Sequence, residues 1–205
     1  MPAHDTPETT RAPIPQFYSR VYGRLYALGY HKGEEYSHAK NLCARLSDGF
    51  GDRFDSALDI GCSVGWAVRH FKDLGLRAAG VDVAPKVVNK GVANGLDLHV
   101  ASATALPFGD DAFDLVMSTD CFEHLRPEDV EQSIDEACRV ARTTLAFKIN
   151  PRLDRNKLWK LLAGTPLHQT TKPIAWWIER FEARGCAVLD HDHAQEEFIL
   201  SAPGA

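Results

Sequence analysis

The sequence lacks the features that identify several classes of protein. Its 205 residues include five cysteines, and no two of them form a C-x-x-C pair. An odd number of scattered cysteines does not suit a disulfide framework, so we expect reduced thiols in a cytoplasmic protein. No apolar run approaches the roughly 20 residues that a membrane-spanning helix needs. These absences argue against a disulfide-stapled scaffold and against insertion into a membrane.

A surplus of positive charge is also missing. The chain has 23 Lys and Arg against 28 Asp and Glu, a net charge of −5, which disfavours a nucleic acid as the partner. Residues 1–15 are polar and rich in proline, without the apolar core of a secretory signal, and we expect them to form a disordered lead. Since no internal repeat interrupts the remainder, we predict one domain over residues 16–205.

What the sequence does contain is a strand, a glycine-containing turn and a helix in succession. Ala57–Ile60 is apolar enough for a buried strand, Gly61 and Gly65 mark a turn, and a helix begins at Trp66. Such glycines let a ligand approach the main chain closely, and the helix N-terminus offers free N–H groups. A second strand, 78–82, ends in an acid about 20 residues after Gly61, the usual spacing of a ribose-binding carboxylate.

Strands and helices alternate along the rest of the chain. The N-terminal segment, residues 16–52, is predicted to contain two helices, one starting at Gln16 and one over Glu34–Leu46, and then a loop over 47–52. Further strands are predicted at 98–100, 112–118, 144–149, 186–189 and 197–200, and further helices at 85–93, 126–140, 153–163 and 173–184. This order predicts an α/β fold, a mostly parallel sheet covered on both faces with an antiparallel pair at its edge.

Aromatic residues recur at helical spacing near the start of the chain. Tyr18, Tyr22 and Tyr26 follow one another every four residues and therefore share one face of the first helix. Two interpretations stay open: the helix packs on the domain, or its tyrosines cover a ligand pocket.

Taken together, these segments resemble a class I S-adenosylmethionine-dependent methyltransferase. The resemblance extends over residues 57–200 and rests on Leu58–Gly65 (the glycine loop, with Ser63 where a middle glycine is commonest), Val81–Pro85 (the ribose-binding acid), Thr104–Phe108 with Phe113–Val116 (the LPF…FD-x-V signature) and Phe122–Leu125 (the EHL step). It implies a Rossmann-like, doubly wound sheet of seven strands with an antiparallel last strand. The core would span 57–205, with a substrate-side insertion at 150–175.

The resemblance implies S-adenosylmethionine as cofactor and S-adenosylhomocysteine as product. Asp59 would fix the amino group, Asp82 would accept both ribose hydroxyls, and Val83 and Leu106 would enclose the adenine. Ser102 stands where the family usually has an adenine-binding Asp. The positions implied to bind the cofactor are Asp59, Gly61, Cys62, Ser63, Gly65, Asp82, Val83, Ser102, Ala103, Leu106 and Thr119.

The catalytic candidates follow the fourth strand, where doubly wound sheets bind their ligands. They are Asp120, Glu123, His124 and the more distant His168, with His124 as general base and His168 as its alternative. We predict O-methylation of a small-molecule or sugar-like hydroxyl in a pocket formed by the three tyrosines together with Trp176 and Trp177.

Alternatives remain. Asp120-x-x-Glu123-His124 with His168 is similar to the magnesium or manganese site of RNA 3′-end ribose methyltransferases, although no metal is part of the prediction. Asp120 and Lys148 would suit a ribose 2′-O-methyltransferase. Ser63 and Ser102 allow a non-catalytic protein of the same fold. His191–His193 is interpreted as a polar turn between two strands.

Overall fold

The computed structural model describes residues 16–30, 39–50, 53–154 and 157–205, so the expected lead over 1–15 lies outside the described residues. Seven strands are present: β1 (Ser56–Ile60), β2 (Arg77–Asp82), β3 (Asp97–Val100), β4 (Phe113–Thr119), β5 (Ala141–Lys148), β6 (Val188–Asp192) and β7 (Glu197–Ser201). The α-helices are α1 (Gln16–Ala27), α2 (Lys40–Phe50), α3 (Trp66–Asp73), α4 (Pro85–Ala93), α5 (Pro127–Val140), α6 (Lys157–Ala163) and α7 (Ile174–Glu182).

The strands form one mixed sheet in the order β3-β2-β1-β4-β5-β7-β6. The first five strands are parallel, and β7 runs antiparallel to both β5 and β6. This is the doubly wound, Rossmann-like arrangement that the sequence predicts, including the antiparallel last strand. The order reverses between β1 and β4, which are paired up to Ile60 and Ser118, and such a reversal places a crevice just beyond the carboxyl ends of the strands.

Both faces of the sheet are buried, which explains why its central strands are continuously apolar. On one face Leu58 and Ile60 of β1 pack in a cluster with α5 and α7, which contribute Ile134 and Phe181. On the other face Ala57 packs with α2 and α3. The alternation of side chains along β1 therefore divides the core between two helical layers.

Several boundaries differ from the prediction. β5 begins at Ala141 rather than at residue 144, and Leu153 and Asp154, expected in a helix over 153–163, are not helical. Two further differences concern α2 and the outermost strand. Ser47–Phe50, expected as a loop, continue α2, and the Ser47 hydroxyl donates to the Cys43 carbonyl one turn earlier. The expected helix start at 34–38 and the rest of the loop, 51–52, lie outside the described residues.

The other difference concerns the outermost strand. β6 begins at Val188 rather than at residue 186, and its His191 and Asp192 pair with Phe198 and Glu197 instead of forming a turn. Its side chains are exposed or half-buried, so the apolar pattern of residues 186–189 was a poor guide to an edge strand. Within the described part of the chain, no helix has the length and apolar character to cross a membrane.

Candidate functional site

A cleft of about 640 Å³ opens where the strand order reverses, at the carboxyl ends of β1 to β4. This volume includes the part of the cleft that is open to solvent. The cleft is lined by Tyr18, Tyr22, Tyr26, Tyr30, Ile60, Gly61, Val81, Asp82, Val83, Ala101, Ser102, Ala103, Asp120, Cys121, His124 and Leu125. Of the described residues, no arginine or lysine contributes to this lining.

The turn after β1 forms the floor of the cleft. Gly61 has a φ of +84° and Gly65, which caps α3, has a φ of +86°, a left-handed conformation that glycine adopts without strain. The N–H groups of Gly61 and Cys62 both donate to the Val81 carbonyl, which fixes the turn against β2. Ser63 also has a positive φ, +51°, so the chain keeps a glycine-like backbone where the resemblance expects a glycine.

Asp82 ends β2 beside this turn. Its two carboxylate oxygens accept hydrogen bonds from the N–H groups of Ser63 (3.0 Å) and Ala84 (2.9 Å). A carboxylate offers about four lone-pair directions, so acceptor capacity remains on the side that lines the cleft. Burial raises the pKa of Asp82 to about 6.

Asp59 lies one layer deeper, in the middle of β1. It is buried, and its pKa is raised to about 7, first by burial and then by the neighbouring Asp82. Its side chain is not among those that line the cleft.

The next part of the lining comes from the residues that follow β2 and β3. Val83, Ser102 and Ala103 line it, and the Ser102 hydroxyl lies 2.8 Å from the Thr104 hydroxyl. Leu106, expected at the adenine, is buried in the core and does not line the cleft. The Ser102 hydroxyl thus already has a partner in the position where the family usually has a carboxylate.

Helix α1 forms the opposite wall. The Tyr18 hydroxyl donates to Asp129 (2.7 Å) and accepts from the N–H of Arg126 (2.9 Å), which ties α1 to the start of α5. The Tyr26 hydroxyl hydrogen-bonds Ser63, at the floor. The tyrosines therefore do both things that the sequence allowed: they pack α1 on the domain and they cover the pocket.

Asp120 and His124 lie at the end of the cleft that follows β4. Asp120 has a φ of +47° and its carboxylate lies 3.9 Å from the Lys148 ammonium. His124 packs edge-on against the Tyr22 ring, with centroids 5.9 Å apart, and its Nδ1 lies 3.0 Å from the Leu167 carbonyl. Burial, helped by the neighbouring His168, lowers the pKa of His124 to about 4, so this imidazole is neutral at pH 7.

Glu123 and His168 stand behind His124 rather than in the cleft lining. Glu123 is fully buried, and burial together with the nearby Asp120 raises its pKa to about 8. His168 packs edge-on against His124, with ring centroids 4.8 Å apart. The N–H groups of Gln169 and Thr170 both donate to the Glu123 carbonyl, which holds the His168 segment against the turn after β4.

The structure gathers part of the predicted set at the cleft. Of the fifteen predicted cofactor-binding and catalytic residues, seven line the cleft together with the three predicted tyrosines: Gly61, Asp82, Val83, Ser102, Ala103, Asp120 and His124. Eight others lie beneath or beside it: Asp59, Cys62, Ser63, Gly65, Leu106, Thr119, Glu123 and His168. The Cys62 side chain points into a separate apolar cluster with Val68 and Leu98, so only its backbone contributes to the turn.

The prediction that two tryptophans line the pocket is wrong. Trp177 is fully buried in the core against Phe122, and Trp176 packs under the Arg180 guanidinium at 3.4 Å from the ring centroid. Sequence reasoning missed Tyr30 and Cys121 as lining residues. Tyr30 continues the four-residue spacing of the tyrosines, and Cys121 directly follows Asp120, so both signals were present.

The chain is similar in sequence to known proteins. Residues 58–144 match the family model described as a methyltransferase domain. The chain is 30% identical over 125 residues to ajmaline N-methyltransferase of Rauvolfia serpentina, which covers 57% of this chain and 40% of that protein. It is 33% identical over 107 residues to norajmaline N-methyltransferase of the same plant, covering 48% and 36%. The chain thus spans well under half the length of these curated relatives.

A solved structure shares the fold. The 1,6-didemethyltoxoflavin-N1-methyltransferase of Burkholderia thailandensis, with bound 1,6-didemethyltoxoflavin and S-adenosylhomocysteine, superposes with a TM-score of 0.67. The identity is 18%, over 94% of this chain and 92% of that one.

Proposed function

We propose that this chain belongs to the class I S-adenosylmethionine-dependent methyltransferases and that it transfers a methyl group from S-adenosylmethionine to a small molecule. The observation that carries the proposal is the position of Asp82: a buried carboxylate faces a cleft between a glycine turn and a wall of tyrosines.

The cofactor would bind along the carboxyl ends of β1 to β3. Asp82 keeps free lone pairs for the two ribose hydroxyls, and its pKa of about 6 leaves it ionised at pH 7 and above. Val83, Ser102 and Ala103 would contact the adenine, while the backbone of the Gly61 turn would pass under the methionine part. This assignment uses the free N–H groups and close backbone approach that the turn offers.

The acceptor would then lie between the tyrosines and the end of β4. Methyl transfer from a sulfonium requires the acceptor atom in line behind the S–CH₃ bond, so positioning supplies much of the acceleration. A cleft walled by Tyr18, Tyr22 and Tyr30 suits a ring-containing molecule. His124, neutral at pH 7, would accept the hydrogen bond of an acceptor hydroxyl at its free Nε2.

A hydroxyl acceptor is our first candidate and an amine nitrogen is the second. The names of both curated relatives, which are N-methyltransferases, favour the amine. RNA methylation gains less support, because the described lining of the cleft carries no lysine or arginine to hold phosphates. A non-catalytic role is the remaining candidate, and methylation of any acceptor would eliminate it. Incubation with methyl-labelled S-adenosylmethionine and a panel of sugars, phenols and cyclic amines, read by mass spectrometry, would distinguish the acceptor classes.

The test of the cofactor site is calorimetric titration of the full chain with S-adenosylhomocysteine. For Asp82→Asn we expect the Kd to rise at least tenfold, about 1.4 kcal/mol, because the amide loses the charge and one acceptor. Asp73→Asn, at the exposed end of α3, is the matched control and should bind as the unmodified chain does. Equal affinity in the unmodified chain and Asp82→Asn would contradict the proposal.

A further inference from the structure

Glu123, His124 and His168 bring one carboxylate oxygen and two imidazole nitrogens within 4.8 Å of one another, immediately beside the cleft. We propose that these three side chains bind a divalent first-row transition-metal ion. Two imidazoles and one carboxylate are a ligand set that proteins use for such ions.

The two histidines are held in the orientation that a metal ligand requires. Nδ1 of His124 lies 3.0 Å from the Leu167 carbonyl, and Nδ1 of His168 lies 2.6 Å from the Arg152 carbonyl. A carbonyl oxygen only accepts, so each ring carries its proton on Nδ1 and presents a lone pair at Nε2. A backbone carbonyl on the second nitrogen is the common support of a metal-binding histidine.

The carboxylate supplies a second, independent observation. Glu123 is fully buried; its Oε1 accepts from the N–H of Asn150 at 3.3 Å. Its Oε2 is also buried, and none of the described residues donates a hydrogen bond to it. A buried carboxylate oxygen without a donor is costly, and a bound cation would remove that cost.

Two segments of the chain build this site, and the backbone fastens them together. The N–H groups of Gln169 (2.8 Å) and Thr170 (3.0 Å) donate to the Glu123 carbonyl, and the Thr170 hydroxyl donates to the Leu125 carbonyl. His168 is therefore positioned by the fold and not by an exposed loop alone. Bonds of 2.0–2.2 Å would place ligand atoms about 3.4 Å apart, so ion binding would draw the three side chains closer together.

The ligand set differs from the sequence-level alternative in two ways. Asp120 is not part of the cluster, and its carboxylate lies 3.9 Å from the Lys148 ammonium instead. With two imidazoles among three ligands, the site favours zinc or iron over magnesium, and Mn²⁺ serves as the probe for an ion that prefers oxygen ligands. Three protein ligands leave coordination positions open, and His124 borders the cleft, so the ion would present an oxygen-binding position to the methyl acceptor. This last role rests on the proposed function, and His124 would then reach the acceptor through the ion.

The experiment is calorimetric titration of the chelator-treated full chain with Zn²⁺ and, separately, Mn²⁺, without cofactor or acceptor. We expect one ion per chain and at least a tenfold rise in Kd for His168→Ala and for Glu123→Gln. His193→Ala is the control, because His193 packs on His191 at the edge of the sheet and is not part of the cluster. Its affinity should equal that of the unmodified chain.

Two outcomes would overturn the metal proposal: no saturable binding of either ion, or binding that survives both substitutions. Circular dichroism and titration with S-adenosylhomocysteine establish that each variant is folded. Those titrations also separate the two proposals, because loss of ion binding with intact cofactor binding refutes the metal site alone. As a second readout, Co²⁺ bound to the imidazoles should give a visible absorption band that His168→Ala weakens.

Discussion

The Sγ atom of Cys121 lies 2.6 Å from the position that a β-carbon on Gly61 would occupy. The two residues follow the neighbouring strands β1 and β4 at the cleft, and the approach of Cys121 leaves no room for a side chain on Gly61. Gly61 also has a φ of +84°. The Gly61 turn therefore lies too close to Cys121 to accept a side chain.

Gly61→Ala should therefore be destabilising and should weaken cofactor binding. We expect the free energy of unfolding to fall by about 2–4 kcal/mol, since the left-handed backbone and the steric overlap each cost about 1–2 kcal/mol or more. Urea denaturation measures the loss, and titration with S-adenosylhomocysteine measures the affinity.

Gly75→Ala provides the control for backbone strain. Gly75 has a φ of +91°, but nothing lies within 4 Å of its β-carbon position. We expect a loss of about 1–2 kcal/mol and unchanged affinity for S-adenosylhomocysteine. If both variants lost the same stability and kept the same affinity, the contact with Cys121 would have no energetic consequence.

Stability in the presence of a chelator should fall as the pH rises from 6.5 to 9. Burial raises the pKa of Asp59 to about 7 and that of Glu123 to about 8, above the values of an unfolded chain. The unfolded state therefore binds fewer protons in this window, and each carboxyl group loses its stabilising effect as the pH passes through its folded pKa. The His124 imidazole is neutral in the folded state, but its ordinary pKa of about 6.5 applies in the unfolded state, so its proton loss opposes the trend below about pH 7.5 and is outweighed by the two carboxyl groups.

Glu123→Gln isolates one carboxyl group from this trend. Its unfolding temperature should fall less than that of the unmodified chain between pH 6.5 and 9, because the amide does not titrate. Glu182→Gln, at the exposed end of α7, should follow the unmodified chain. Parallel curves for the unmodified chain and Glu123→Gln would show that the buried carboxyl group is not the source.

Tyr18→Phe should loosen α1 without disturbing the sheet. The substitution removes the hydroxyl that donates to Asp129 and accepts from the N–H of Arg126, and it leaves that N–H without its partner. We expect a loss of about 1–3 kcal/mol in the free energy of unfolding. Hydrogen exchange should become faster in α1 while it stays slow in β1 and β4.

Tyr30→Phe is the comparison for that variant. Tyr30 lines the same cleft but does not join α1 to α5. The free energy of unfolding of Tyr30→Phe should therefore differ from that of the unmodified chain by less than about 0.5 kcal/mol. Equal losses in the two variants would mean that the Tyr18 hydroxyl has no special role in anchoring the helix.

The sequence by itself determined the order of strands and helices along the chain and the location of the glycine turn. Apolar strands such as β1 must be covered on both faces, and a left-handed turn after them needs glycine at Gly61, so local chemistry suffices. The tyrosine spacing on α1 likewise identified a shared face. Local patterns were misleading for β6, because an exposed edge strand has little apolar periodicity, and for Ser47–Phe50, where propensity suggested a loop but α2 continues.

Only the tertiary structure decided which polar residues meet. Trp176 and Trp177 are adjacent on α7, but neither side chain reaches the cleft. Trp177 packs against Phe122 and Trp176 against the Arg180 guanidinium. Glu123 and His168 are joined by backbone hydrogen bonds from the segment after α6, a contact that no local pattern encodes. The type of each helix and strand and their order along the chain follow from local chemistry. Which distant side chains meet depends on how the strands are arranged in the sheet and on how deeply each side chain is buried.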